Sequence, residues 1–309
     1  MNKLIKTRLN YESKSINKVE YIDEMYKIHK NLFDYSQFLP QTGIYSIEII
    51  DGKVIMTFRE SNVKMICIED DKRIACIDSI NFLSYEEDEL LMQYSLIEEN
   101  DVVFDIGGNY GWYSIHIAKK FPNNKIYTFE PLPNTFSTLI NNINLNDTQN
   151  INPINIGLSK EKGEFTFYCD PNLTVNASLT NVGENSNAIE VKCKVDVLDS
   201  FVMENSIKKL DFIKCDIEGA ELFALLGAKK SILEFKPKIF IEMLRKWSAK
   251  FGYHPNDIIS YLKDLGYSCY IINGHTLLKI FEVTENTHET NFVFLHNTAH
   301  IKLINQLAI

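Results

Sequence analysis

A chain of 309 residues, 45% hydrophobic and 24% charged, has room for one large domain with an appendage, or two modest ones, around a sizeable core. Its net charge of −9 and its four arginines, Arg8, Arg59, Arg73 and Arg245, provide no basic face for phosphate backbones and argue against a nucleic-acid partner. No apolar run has the length of a signal peptide or a membrane span, and the six cysteines lack CxxC spacing, so we expect a cytoplasmic protein without membrane insertion whose cysteines are small core residues.

Residues 15–38 carry Val19, Ile22, Met25, Tyr26, His29 and Phe33 at three- and four-residue spacing, which predicts an amphipathic helix ended by Pro40 and Gly43. IYSIEIIDGKVIMTF follows, two β-branched runs around Asp51-Gly52, and predicts a hairpin. VKMICIEDDKRIACID predicts a second hairpin turning at 70–72. Residues 1–80 therefore read as a small α+β subdomain, and 81–309 as the main domain. After the helical EEDELLMQYSLIEE, strand and helix patterns alternate. Strands fit 101–106, 125–129, 151–156, 211–216, 238–243 and 268–273, and helices fit 111–120, 134–145, 196–207, 219–230 and 256–266. This rhythm predicts a parallel sheet covered on both faces. Residues 157–195 interrupt it with two strand-like runs, GEFTFYCD and AIEVKCKV, around a polar loop, and NFVFLH at 291–296 is a last strand.

VVFDIGGNYGWYSIHIA at 102–118 is a strand that hands over to a helix through glycines. Ligands of open parallel sheets sit beyond the carboxyl ends of the strands, where glycine lets backbone and ligand approach closely. Gly107-Gly108-Asn109-Tyr110-Gly111 lacks the G-x-G-x-x-G spacing of pyrophosphate sites, and Asp105 at the strand tip would repel a pyrophosphate. The acid and the free helix amides suit instead the zwitterionic aminoacyl end of S-adenosyl-L-methionine, whose demethylated product is S-adenosyl-L-homocysteine. The next strand ends at Glu130, 23 residues after Gly107, followed by Pro131, and a carboxylate there can accept from both ribose hydroxyls. Asp105, Gly107, Gly108, Asn109, Gly111, Glu130 and Pro131 are thus the expected cofactor residues.

FDIGGNYGWYS, YTFEPLPNTF, DFIKCDIEGAELFALLGA, IFIEM and YLKDLGY together resemble the FkbM-type family of S-adenosylmethionine-dependent methyltransferases over about residues 100–272. The resemblance implies a Rossmann-like, seven-stranded class I methyltransferase sheet with its last strand antiparallel. It also implies O-methylation of hydroxyls on sugars or polyketide-derived compounds, and it does not extend to residues 1–80.

Methyl transfer to an alcohol gains from a base at the strand tips. Strand 211–216 delivers Asp216, which also adjoins the cofactor, and Lys214 two residues earlier points to the same face. Strand 238–243 delivers Glu242, and His254 before the helix at 256 is a further acid–base candidate. Glu218 and Arg245 lie where an acceptor would bind, as do Asn176 and Ser178 in the interrupting loop, which in the family lies near cofactor and acceptor. No metal is indicated, although Asp216 and Glu242 leave room for a divalent ion. The expected partners are a sugar or other small hydroxylated acceptor, nucleotide-activated or in a growing polysaccharide, and a second copy of the chain. A small natural product as acceptor, or a non-catalytic cofactor-binding protein, is the alternative.

Overall fold

The computed structural model describes residues 1–69, 71–170, 173–178 and 189–309, with the backbone alone for 169, 170 and 173–178. Helices α1 (Lys3–Glu12), α2 (Lys18–His29) and α3 (Asn31–Phe38) precede an antiparallel sheet of β1 (Ile44–Ile50), β2 (Lys53–Phe58) and β3 (Lys64–Cys67). The single helix expected over 15–38 is divided at Lys30, and its apolar residues Val19, Ile22 and Phe33 are exposed. The first expected hairpin is present as β1–β2. The second is not: β3 pairs with β2, and the following run forms α4 (Ala75–Phe82). Ala75, Cys76, Ser79 and Ile80 are the buried residues of that run, a helical stripe that the short alternation of RIACID hides.

After α5 (Glu87–Leu96) come β4 (Val102–Ile106), α6 (Trp112–Lys120), β5 (Lys125–Phe129), α7 (Pro133–Leu145) and β6 (Ile151–Ile154). A rim sheet follows, built from β7 (Gly157–Leu158), β8 (Gly163–Asp170), β9 (Leu173–Ser178) and β10 (Ile189–Asp196) in the order β7-β10-β8-β9. Part of the expected polar loop is therefore a strand, β9, paired with β8. The chain returns through α8 (Leu198–Glu204), β11 (Phe212–Cys215), α9 (Glu221–Leu226), α10 (Lys229–Phe235), β12 (Lys238–Glu242), α11 (Arg245–Lys250) and α12 (Pro255–Asp264). It closes with β13 (Tyr267–Asn273), β14 (Thr276–Ile280), β15 (Asn291–His296) and α13 (Ile301–Leu307).

The main sheet has eight strands in the order β14-β13-β15-β12-β11-β4-β5-β6. β4, β5, β6, β11 and β12 are parallel, and β15 runs antiparallel between β12 and β13. This is the expected Rossmann-like α/β sheet with its antiparallel last strand. β14 is an additional edge strand, turned back on β13 at Gly274, whose φ is +60°.

Alternation along the strands feeds two apolar layers. Phe104, Ile106, Phe129, Ile213 and Cys215 face α8, α9, α10 and α12. Val103, Ile126, Phe212 and Phe240 face the other way, in one layer with α5, α6 and residues of β1–β4 and α4 such as Ile44, Phe58 and Met65. Strand order reverses between β4 and β11, which places a crevice at their carboxyl ends.

Candidate active site

Asp105 and Lys214 are register partners on β4 and β11 and share the face turned toward α6. Both are buried, and the Lys214 ammonium lies 3.4 Å from Asp105 Oδ1 and 3.6 Å from Asp216 Oδ2. It also donates to the Gly107 carbonyl at 3.0 Å and sits 5.3 Å above the Tyr113 ring. Burial alone would lower the Lys214 pKa, but Asp105, Asp216 and Glu86 together raise it. Asp105 Oδ2 accepts from the Ser114 hydroxyl at 2.6 Å, and Ser114 in turn bonds Thr128. The expectation that Asp105 meets the ligand thus takes a different form. Its carboxylate, 1% exposed, is turned into the interior, where it fixes Lys214 beneath the turn.

The turn itself lines a cavity. Gly107 has φ +80°, and a Cβ there would lie 1.9 Å from the Asp216 carbonyl oxygen; one on Gly108 would lie 2.0 Å from Thr128 Cγ2. Only hydrogen at both positions lets the ends of β4, β5 and β11 close together. Gly111 caps α6, and Asn109 has φ +47°. The Asn109 amide donates to Glu130 Oε2 at 3.1 Å and the Leu132 amide to Glu130 Oε1 at 2.9 Å. Asn109 Oδ1 is buried with no hydrogen-bond partner. Gly107, Gly108, Asn109, Glu130 and Pro131 all border the cavity with Lys214, Asp216 and Glu218.

Glu130 is pushed up to about 7 by burial, against the pull of its two amide donors. A carboxyl raised in this way favours folding while it is protonated and loses that contribution as pH rises from the unfolded value through the folded one. The stability of the wild-type chain relative to a Glu130→Gln variant is therefore expected to fall between about pH 4.5 and 7 and to level off above. Urea unfolding of both chains across that range measures it, and a pH-independent difference would refute the burial cost.

Asp216 stands at the tip of β11 with its side chain 35% exposed, and Glu218 follows in a turn with φ +56° at Glu218 and +101° at Gly219. That turn is pinned by Glu221, which accepts from the amides of Ile217 at 3.1 Å and Gly219 at 2.9 Å, and from Tyr253 Oη at 3.1 Å. Glu221 has no expected role in the sequence reading, although its position in DIEGAE marks it. Two further residues come from the segment before the main sheet. Glu86 lines the cavity and accepts from Tyr113 Oη at 2.7 Å, and its neighbour Tyr85 forms part of the wall. No local pattern identifies Glu86, because its place depends on a long-range packing.

Glu242 ends β12 outside the cavity lining but in the field of the same acids. Burial, then Asp216, holds both Glu242 and Glu218 well above the usual carboxylate range. Arg245 is not brought to the cavity, and its guanidinium donates to the Glu285 carbonyl at 3.3 Å. His254 is also displaced from the expected site: it is exposed, its Nδ1 accepts from the Asn256 amide at 3.2 Å, and it caps α12. Asn176 and Ser178 lie on β9, and their side chains are outside the described residues. Among the described residues no group of three or more His, Cys, Asp or Glu is arranged to hold a metal ion.

The fold and this turn define an α/β protein whose ligand crevice opens beyond a glycine-bent strand end. Residues 105–269 match the family described as Methyltransferase FkbM domain, and the chain belongs to that family. It is 27% identical over 162 residues to Methyltransferase 1 of Beauveria bassiana, covering 47% of this chain and 65% of that protein. It is 28% identical over 153 residues to the hexuronic acid methyltransferase AglP of Haloferax volcanii, covering 50% of this chain and 60% of that protein. The chain thus spans less than two thirds of each of these two relatives. The crystal structure of methyltransferase FkbM from Methylobacillus flagellatus aligns with a TM-score of 0.42 at 19% identity, over 70% of this chain and 52% of that one.

Proposed function

We propose that the chain is an S-adenosyl-L-methionine-dependent O-methyltransferase acting on a sugar hydroxyl. The observation that carries this reading is a charge imbalance. Glu86, Glu130 and Asp216 border one cavity beside a neutral Glu218, and Lys214, the cation among its lining residues, is already faced by Asp105 and Asp216. Such a site favours a ligand of net positive charge, and a nucleoside bearing both a sulfonium and an ammonium group answers it. Asn109 Oδ1, buried and unpartnered, and the Glu130 carboxylate supply acceptors for the hydroxyl and amino groups of that ligand.

When bound, the cofactor supplies an electrophilic methyl group. The protein's part is to position the acceptor and to remove its proton. Asp216 is the partly exposed acid on the cavity wall, oriented from behind by Lys214, and it takes the proton of the attacking hydroxyl. Glu218, held neutral by burial on the cavity wall, offers its hydroxyl as a donor to the bound acceptor, and Glu242 is held neutral outside the lining. A sugar as acceptor is supported by the hexuronic acid methyltransferase among the relatives. Incubation of the purified chain with S-adenosyl-L-methionine and a panel of nucleotide sugars and free hexuronates, read by mass spectrometry, is expected to give a product heavier by one methylene. Calorimetry with S-adenosyl-L-homocysteine is expected to show binding at the cavity. Absence of both signals would overturn the proposal.

A further inference from the structure

A second cavity, of about 700 Å³, opens beside the first. The two share the side chains of Tyr85 and Trp112, which meet edge to face with ring centroids 5.2 Å apart. Its remaining wall comes from residues 40–43, from β2 and the turn after it, from Ser79 of α4 and residues 83–84 behind it, from α5 and from α6. The size lies in the range of small-molecule sites. Phe58 and Tyr94 add aromatic surface to that of Tyr85 and Trp112, and flat aromatic faces pack well against the C–H faces of a pyranose ring. Trp112 Nε1 and Ser79 Oγ, both from lining residues, are buried without hydrogen-bond partners.

The cations of this cavity stand out in a chain of net charge −9. Arg59 donates to the carbonyls of Leu39, Thr42 and Ile44, so its guanidinium is fixed in place while its charge meets no carboxylate. Lys119 donates to the Asn62 carbonyl at 2.8 Å, and Lys120 lies 5.7 Å from the centre of the Tyr94 ring. Among the described residues, none of the three has a carboxylate within ion-pair distance. Glu60 and Glu87 are the acids of the lining. His116, against the Trp112 ring, is kept neutral: burial lowers it to about 4, and its Nε2 is 3.0 Å from Ser61 Oγ. The balance is opposite to that of the first cavity, where acids outnumber the cation.

We infer that this second cavity is a binding site for an anionic pyranose of the sugar-phosphate class. The aromatic wall takes the ring, and Arg59, Lys119 and Lys120 take the phosphate. The inference goes beyond the proposed methyl transfer and does not depend on it, since it rests on a different cavity of opposite charge.

The chain contains two tryptophans, so Trp247→Phe leaves Trp112 as the sole reporter at the shared wall. Titration of this variant with glucose 1-phosphate is expected to change its fluorescence saturably, with a dissociation constant of about 1 mM or tighter. Calorimetry on the wild-type chain provides the same constant without the reporter. Lys119 and Lys120 are exposed, so Lys119→Glu with Lys120→Glu leaves the core untouched and is expected to weaken binding by about tenfold or more. Saturating S-adenosyl-L-homocysteine is expected to leave the affinity for glucose 1-phosphate within about threefold, because the two ligands occupy different cavities. The inference fails if neither method detects saturable binding. It also fails if the lysine variant binds equally well, if glucose or inorganic phosphate alone binds as tightly, or if S-adenosyl-L-homocysteine displaces the ligand competitively. A chain that binds glucose 1-phosphate but not S-adenosyl-L-homocysteine would reject the proposed methyltransferase reading and keep this one.

Discussion

Replacing Lys214 with methionine is expected to cost about 3–5 kcal/mol of stability. Methionine matches the length of the lysine stem and fills the space against Tyr113, so lost packing is a small part of the effect. The larger part is electrostatic. Lys214 faces Asp105 at 3.4 Å, and Asp105 is 1% exposed with Ser114 as its remaining close donor. Removing the ammonium leaves a carboxylate in the interior next to a carbonyl, Gly107 O, that has lost its donor. Domains are stable by about 5–15 kcal/mol in total, so the variant is expected to be close to unfolding at room temperature. Adding Asp105→Asn removes the uncompensated charge and is expected to recover part of the loss, which makes the double variant more stable than Lys214→Met alone. Urea unfolding of the wild type, both single variants and the double variant closes the cycle. A cost below about 1 kcal/mol for Lys214→Met, as for an exposed pair, would show that no charged pair is buried beneath the turn.

The sequence makes part of this legible. Strand periodicity ending in Asp105, then Gly107 and Gly108, then a helix, is a local pattern, and β4, the turn and α6 occur where that pattern puts them. The same holds for Glu130 after β5 and Asp216 after β11, because a residue at the carboxyl end of a parallel strand is directed to the crevice by topology alone. Lys214 and Asp216 share a face by the two-residue period, but the register that sets Lys214 against Asp105 joins strands more than a hundred residues apart. It follows from strand order, which local sequence does not encode. Glu86 and Tyr85 are harder still. They belong to a segment outside the resemblance and reach the cavity only because α4 and α5 pack against α6 in one apolar layer. His254 shows the opposite error. A histidine near a strand end suggests acid–base chemistry, yet H-P-N-D is also a helix N-terminus, with Pro255 in the first turn and Asp257 closing a capping box, and that local role is the one it takes. β14 lies outside the expected elements, although Gly274-His275 ahead of TLLKI is a two-residue hairpin loop with glycine at its first position.

Asp216→Asn and Glu242→Gln are expected to separate by orders of magnitude in turnover, and the reason is protonation rather than position alone. Both acids stand at tips of neighbouring parallel strands, and Asp216 adds to the burial that raises Glu242. Glu242 is largely buried among Asp216, Glu218, Glu221 and Glu86, and that environment favours its neutral form. A neutral carboxylic acid donates a hydrogen bond but is a poor proton acceptor, and glutamine reproduces its shape, with an N–H donor in place of the single O–H. Glu242→Gln is therefore expected to keep methyl transfer within about tenfold of wild type. It is also expected to stabilise the apo chain, since an ionisable group leaves a crowded acidic site. Asp216 lies on the cavity wall with its Oδ2 held 3.6 Å from Lys214, so the proposed base cannot be replaced by a neutral amide without losing the proton acceptor. Asp216→Asn is expected to lower kcat by about 10²–10⁴-fold, the usual contribution of a positioned base. Calorimetry with S-adenosyl-L-homocysteine on the same variant is expected to show that the cofactor cavity still binds, which separates loss of proton transfer from loss of the pocket. Because Lys214 faces both Asp105 and Asp216, neutralising Asp216 leaves the buried pair with Asp105 intact, and the variant is expected to unfold at a urea concentration near that of wild type. Full turnover in Asp216→Asn together with loss of turnover in Glu242→Gln would transfer the base to β12.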